Sequence, residues 1–124
     1  MSEITPYLCV ADARQALDWY VEALGAEVTV EPTIMDDGRL GHVELSFGGA
    51  RAMMSDEYAD LHVECPLAGR GAAVTLYLTT DNVDGLAAAA AERGASLDRG
   101  PQDSAHGRTA VFRDPFGHRW MLGE

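Results

Sequence analysis

The chain repeats itself at half its length, and that repeat limits the folds open to it. The segment TPYLCVADARQALDWYVEALGAEV has a counterpart in TLYLTTDNVDGLAAAAAERGASL. At one constant offset Thr5 falls on Thr75, Tyr7 on Tyr77, Leu8 on Leu78 and Asp12 on Asn82. One residue dropped in the helix brings Leu17 onto Leu86, Gly25 onto Gly94 and Ala26 onto Ala95. A second drop brings Gly49 onto Gly117, Arg51 onto Arg119 and Met53 onto Met121. Strand, cap, helix, glycine stop and strand therefore follow in the same order twice.

Each half obeys the same local logic. TPYLCV is an aromatic and β-branched strand with Pro6 near its start, where a sheet edge tolerates a missing donor. Asp12 caps a helix whose apolar stripe is Ala13, Leu17, Tyr20, Val21 and Leu24, and Gly25 stops it. Trp19 falls off that stripe and is expected at a module or subunit contact. In the second half Asn82 or Asp81 caps, Val83, Leu86, Ala87 and Ala90 form the stripe, and Gly94 stops the helix. Strands are expected at about 27–33, 40–47 and 50–55, then at about 96–99, 109–113 and 119–122, with DDGR and FGGA as turns. The fold class is α+β: two βαβββ modules, sheets curving around a shared cavity and helices outside. The chain reads as one domain of two modules, about 1–56 and 72–124. The joining segment 57–71 is long for a compact domain, and serves either as a cover over a binding site, through Tyr58 and His62, or as a mobile linker.

Twenty acidic against nine basic residues give a net charge of −11. That balance argues against nucleic acid or an anionic membrane as partner and suits a cationic one. No apolar run approaches the roughly 18 residues that span a bilayer, and MSEITPYL has no signal-peptide pattern, so a cytoplasmic protein is expected. Cys9 and Cys65 have neither metal nor redox spacing and are expected as free thiols. No glycine elbow, cysteine–histidine pair or phosphate-binding loop appears, which lowers the case for acyl or phosphoryl transfer.

The paired modules, with VAD before the first helix, DNVDGL before the second and FRDPFGHRW near the end, resemble the vicinal oxygen chelate superfamily of glyoxalases, extradiol dioxygenases and bleomycin resistance proteins. ITPYL, GGARAMMSD and AHGRTAVFRDPFGHRW look like its small bleomycin resistance-like subgroup. The resemblance implies metal ligands, typically His and Glu, at one inward position on the first and last strand of each module. Counted from the helix caps and glycine turns, those positions hold Thr5, Met53, Thr75 and Met121. Neutral hydroxyls and thioethers are poor donors for a hard divalent ion, so no metal and no cofactor is expected. His42 and Glu44 are candidates for a displaced metal site or a general base.

Strand alternation puts Thr5, Tyr7 and Cys9, Arg51, Met53 and Ser55, Thr75, Tyr77 and Thr79, and Arg119 and Met121 on inward faces. The ligand-binding candidates are Tyr7, Met53, Tyr58, Tyr77, His106, Arg108, Arg119 and Met121. Aromatic faces and flexible thioethers suit a planar or irregular organic molecule. The leading expectation is a protein that sequesters a cationic or aromatic, antibiotic-like compound without metal. The resemblance implies a homodimer, with its first strands exchanged in one arrangement. The alternative is a metal-dependent lyase, isomerase or dioxygenase using His42, Glu44 and His106.

Overall fold

Asp12 starts the first helix as a cap does: its Oδ1 accepts the Gln15 amide at 3.1 Å, and Gly25 ends the helix in the left-handed region at φ 72°. The computed structural model describes residues 1–124 and separates into two compact units, Met1–Cys65 and Pro66–Glu124. In the first unit, β1 (Tyr7–Cys9) leads into α1 (Ala13–Leu24), then β2 (Glu27–Ile34), β3 (Leu40–Phe47) and β4 (Ala50–Ser55). The sheet order is β1, β4, β3, β2, with β1 parallel to β4 and the other neighbours antiparallel. Leu8, Val43, Leu45, Ala52 and Met54 are buried together with Ala13, Ala16, Tyr20 and Ala23 of α1. Tyr20 meets Phe47 edge-on at 6.0 Å. Asp56 ties the end of β4 to two other elements, accepting the amides of Ala13 and Leu40, each at 2.7 Å.

The second unit repeats the plan with β5 (Thr75–Thr79), α2 (Val83–Glu92), β6 (Ser96–Ser104), β7 (Gly107–Arg113) and β8 (Arg119–Gly123), in the order β5, β8, β7, β6. Asn82 caps α2 by accepting the Gly85 amide at 3.2 Å. Ala110, Phe112, Trp120 and Leu122 are buried on the sheet and Val83, Ala87 and Ala90 on the helix. The DPFG turn is built on Asp114, which is 3% exposed. Its Oδ1 accepts the amides of Phe116 at 2.9 Å and His118 at 3.0 Å, and its Oδ2 accepts the Trp120 indole N–H at 2.9 Å.

Three local expectations need correction. Trp19 is 7% exposed and edge-on to Tyr20 at 5.5 Å, while Val21 is exposed. The buried stripe of α1 is thus centred nearer Ala16 and Tyr20 than the apolar residue types suggested. Strand β6 runs to Ser104 rather than stopping near Arg99, because a register shift between Arg99 and Gln102 absorbs the Gly100-Pro101 pair that reads as a breaker. The segment after β4 is not a bare linker throughout. Ala59–Leu61 form a 3-10 turn, and Tyr58 and Val63 pair across it, each amide donating to the other's carbonyl.

Neither sheet closes into a barrel. No helix is long and apolar enough to cross a membrane.

Candidate functional site

The faces of the first sheet follow from its register. Tyr7 stands opposite Met53, and Met53 opposite Glu44, so these three form one row on the face turned away from α1. Cys9 and Ser55 pair in the next row, and Arg51 pairs with Ser46 in the row before. His42, two residues before Glu44, shares this face.

A hydrogen-bonded chain runs across it. Tyr7 Oη lies 2.7 Å from His42 Nδ1, His42 Nε2 lies 3.0 Å from Glu44 Oε2, and Arg51 Nη1 donates to Glu44 Oε1 at 3.4 Å. The Tyr7 hydroxyl also reaches the Gly41 carbonyl at 3.3 Å. A carboxylate only accepts, so Nε2 carries the hydrogen toward Glu44, and when the ring holds one proton Nδ1 is left to accept from Tyr7. Burial, followed by the fields of Tyr58 and Glu44, raises the Tyr7 phenol above its usual range, so it keeps its proton.

Tyr7 is half exposed because it also borders a cavity of about 380 Å³. The other lining residues are Met35, Gly41, Ser55, Tyr58, Leu61 and Val63. The segment after β4 supplies Tyr58, Leu61 and Val63, so its first part forms one wall of this cavity. Arg39 fixes the Tyr58 ring from outside, its guanidinium 4.0 Å above the ring centroid. Arg39 is itself anchored by Asp37 at 2.7 Å and by the Glu57 carbonyl at 2.9 Å. The Tyr58 hydroxyl oxygen is buried and has no hydrogen-bond partner. A buried hydroxyl without a partner costs stability, which marks it as a group for a ligand to satisfy.

Tyr7, Met53 and Tyr58 are thus brought together, with His42 and Glu44 beside them. Sequence reasoning missed Met35, Gly41, Leu61 and Val63. Gly41, a glycine inside a strand, was the one visible signal of close approach: a Cβ there would stand 2.7 Å from Met35 Sδ and 3.5 Å from Tyr58 Oη.

In the second unit Tyr77 stands opposite Met121 and is 54% exposed, while Thr75 stands opposite Arg119 and accepts from its Nη1 at 2.6 Å. Arg108 does not join them. It belongs to β7 and its side chain reaches α2, its Nε 3.0 Å from Asp84 and its Nη1 3.3 Å from Asp103. His106 is in the exposed hairpin tip, its amide donating to Ser104.

Fit to a metal can be judged from the donor types. Met53 and Met121 pair across the ladders with Tyr7 and Tyr77, each two residues beyond Thr5 and Thr75. Neither set offers the imidazole and carboxylate donors a hard divalent ion needs. As a displaced site His42 and Glu44 are committed to each other and to Tyr7 and Arg51. No group of three or more His, Cys, Asp or Glu side chains is arranged to hold a metal ion.

Neither cysteine is in a disulfide. Burial, with Glu57 next, pushes Cys9 up to about 11, and burial followed by a hydrogen bond to Glu57 raises Cys65. At about pH 8 we expect iodoacetamide to alkylate Cys9 about 100-fold more slowly than free cysteine, because so little thiolate is present. Peptide mass spectrometry after timed labelling checks this. Labelling of Cys9 at the free-cysteine rate contradicts its buried placement.

The comparisons with known proteins agree with this architecture. The sequence profile of the glyoxalase/bleomycin resistance protein/dioxygenase superfamily matches residues 3–122. Mb0911c of Mycobacterium bovis, an uncharacterized protein, is 34% identical over 125 residues, covering 98% of this chain and 82% of that one. The solved structure of PA1353 from Pseudomonas aeruginosa superposes with a TM-score of 0.75 at 26% identity, covering 100% of this chain and 98% of that one. TnmS3 from Streptomyces sp. CB03234, described as an antibiotic binding protein, superposes at 0.67 with 27% identity, covering 98% and 94%. A βαβββ unit repeated within one chain and a profile match over nearly its whole length lead to one conclusion: the chain belongs to the glyoxalase/bleomycin resistance protein/dioxygenase superfamily.

Proposed function

We propose that this protein binds a small, largely apolar aromatic molecule of antibiotic-like character in the cavity of its first unit, and does so without a metal ion. The observation that carries this reading is the lining itself. Met35, Leu61 and Val63 give an apolar wall, two tyrosines give aromatic surface, and the Tyr58 hydroxyl has no partner inside the protein. Of the two ligand classes read from the sequence, the aromatic one is favoured over the cationic one, since no carboxylate lines the cavity. The net charge of −11 then acts on solubility and approach rather than on the bound molecule. The antibiotic-binding description of TnmS3 supports the antibiotic-like character of the ligand. We further propose a homodimer, because apolar side chains stand exposed ahead of each first strand, Ile4 before β1 and Val74 before β5, with Tyr77 exposed on β5.

The test is a ligand-observed NMR screen of neutral aromatic fragments against protein purified with and without chelator. Saturable binding that chelation leaves unchanged supports the reading. Binding or turnover that appears only after Zn, Ni, Mn or Fe is restored contradicts it and favours a metal enzyme.

Tyr58→Phe separates fold from function. Removing a buried hydroxyl with no partner is expected to leave stability unchanged or raise it by about 1 kcal/mol, while weakening ligands that carry a polar atom. A thermal melt and the same NMR titration read the two effects. A loss of stability instead shows that the hydroxyl has a structural partner.

A further inference from the structure

The two phenols at the cavity present opposite hydrogen-bonding needs. Glu44 can only accept, so it takes the His42 Nε2 hydrogen at 3.0 Å, and His42 Nδ1 accepts from Tyr7 at 2.7 Å. The second group within reach of the Tyr7 hydroxyl, the Gly41 carbonyl at 3.3 Å, is also an acceptor. Whichever of the two it meets, the Tyr7 proton is spent on the protein, and the oxygen lone pair is what remains for the cavity. Tyr58 differs: its buried hydroxyl meets no acceptor and has a proton to give. Both residues line the same cavity of about 380 Å³, between Gly41 and the apolar wall of Leu61 and Val63.

We infer that the cavity contains a subsite for an aromatic hydroxyl, which donates to Tyr7 Oη and accepts from Tyr58 Oη while its ring lies against Met35, Leu61 and Val63. The ligand class is therefore a phenol or naphthol rather than an aryl ether, an amine cation or a bare hydrocarbon. Glu44 and His42 do not touch this ligand. They are positioning residues that fix which way the hydrogen-bond chain runs. Arg51 holds Glu44 Oε1, leaving Oε2 for His42. In Glu44→Gln the amide oxygen stays with Arg51 and the amide N–H₂ faces His42. That reverses the chain, so His42 Nδ1 donates to Tyr7 and occupies a lone pair the ligand hydroxyl would use, while the Tyr7 proton turns to the Gly41 carbonyl. This inference rests on the reading of the cavity as a small-molecule site.

The probes are 2-naphthol, 2-methoxynaphthalene and naphthalene, titrated by amide NMR at about pH 8, where free imidazole is neutral. The methoxy compound still accepts from Tyr58 but has nothing to donate to Tyr7. The wild-type protein is expected to bind 2-naphthol at least about tenfold more tightly than 2-methoxynaphthalene. Tyr7→Phe brings that ratio to near one, and Glu44→Gln lowers it, each with an unchanged melting curve. Tyr58→Phe weakens both oxygen-bearing probes and leaves naphthalene unaffected. Equal binding of 2-naphthol and 2-methoxynaphthalene by the wild-type protein overturns the hydroxyl subsite and leaves small-molecule binding standing. A ratio retained in Tyr7→Phe overturns it as well. Failure to bind any of the three overturns both readings together.

Discussion

Asp114→Asn is expected to lower stability by about 3 kcal/mol. The carboxylate accepts three hydrogen bonds from Phe116, His118 and Trp120 while nearly wholly buried, so all three donors depend on one side chain. An asparagine can keep the two backbone donors through its oxygen, but its N–H₂ then faces the Trp120 indole N–H, donor against donor. Two charge-assisted bonds become neutral ones and the third becomes a conflict. Trp120 lies almost parallel to Phe112, at 6.3 Å and 9°, so a displaced indole disturbs the core of the second unit. The urea midpoint, followed by circular dichroism, is expected to fall with an unchanged slope. A loss below about 1 kcal/mol contradicts the role given to this turn.

Gly41→Leu is expected to weaken binding strongly at a small cost in folding. The backbone of Gly41 is not in the left-handed region, so a side chain meets no conformational penalty there. It projects instead at Met35 Sδ and toward Tyr58 Oη, filling the cavity from the sheet side. Met35 is exposed and flexible and can move aside, which keeps the folding cost near 1 kcal/mol. Affinity for an aromatic fragment is expected to fall by about 100-fold, or about 2.7 kcal/mol. Titration of the variant beside the wild type checks this, and unchanged affinity places the ligand elsewhere.

Much of the architecture was legible because local signals and the repeat pointed the same way. Asp12, Gly25 and Asn82 cap and stop their helices by backbone rules that need no tertiary knowledge. Alternation likewise put Tyr7 and Met53 on one face and Leu8 and Met54 on the other. What failed was information held by pairing. Counting from the helix cap marks Thr5 as the usual ligand position of the first strand, but only the parallel ladder shows that Tyr7 stands opposite Met53. Arg108 reads as a residue at a cavity mouth until Asp84, distant in sequence, draws it to the helix side. The cavity wall was least visible of all. Leu61 and Val63 become a wall only when Tyr58 and Val63 pair across a short turn, and nothing in DEYADLHVEC announces that bridge. His42 and Glu44 were noticed as a pair, but the sequence left open a metal site, a base or a wetted surface. The distances turn them toward Tyr7 and Arg51.

Amide shift mapping with 2-naphthol on chelator-treated protein tests whether the first unit holds an aromatic molecule without a metal. Saturable shifts concentrated at Gly41, Ser55, Tyr58 and Val63 are expected, identical before and after chelation. Shifts confined to residues 66–124, or shifts that arise only when a divalent metal is restored, contradict it.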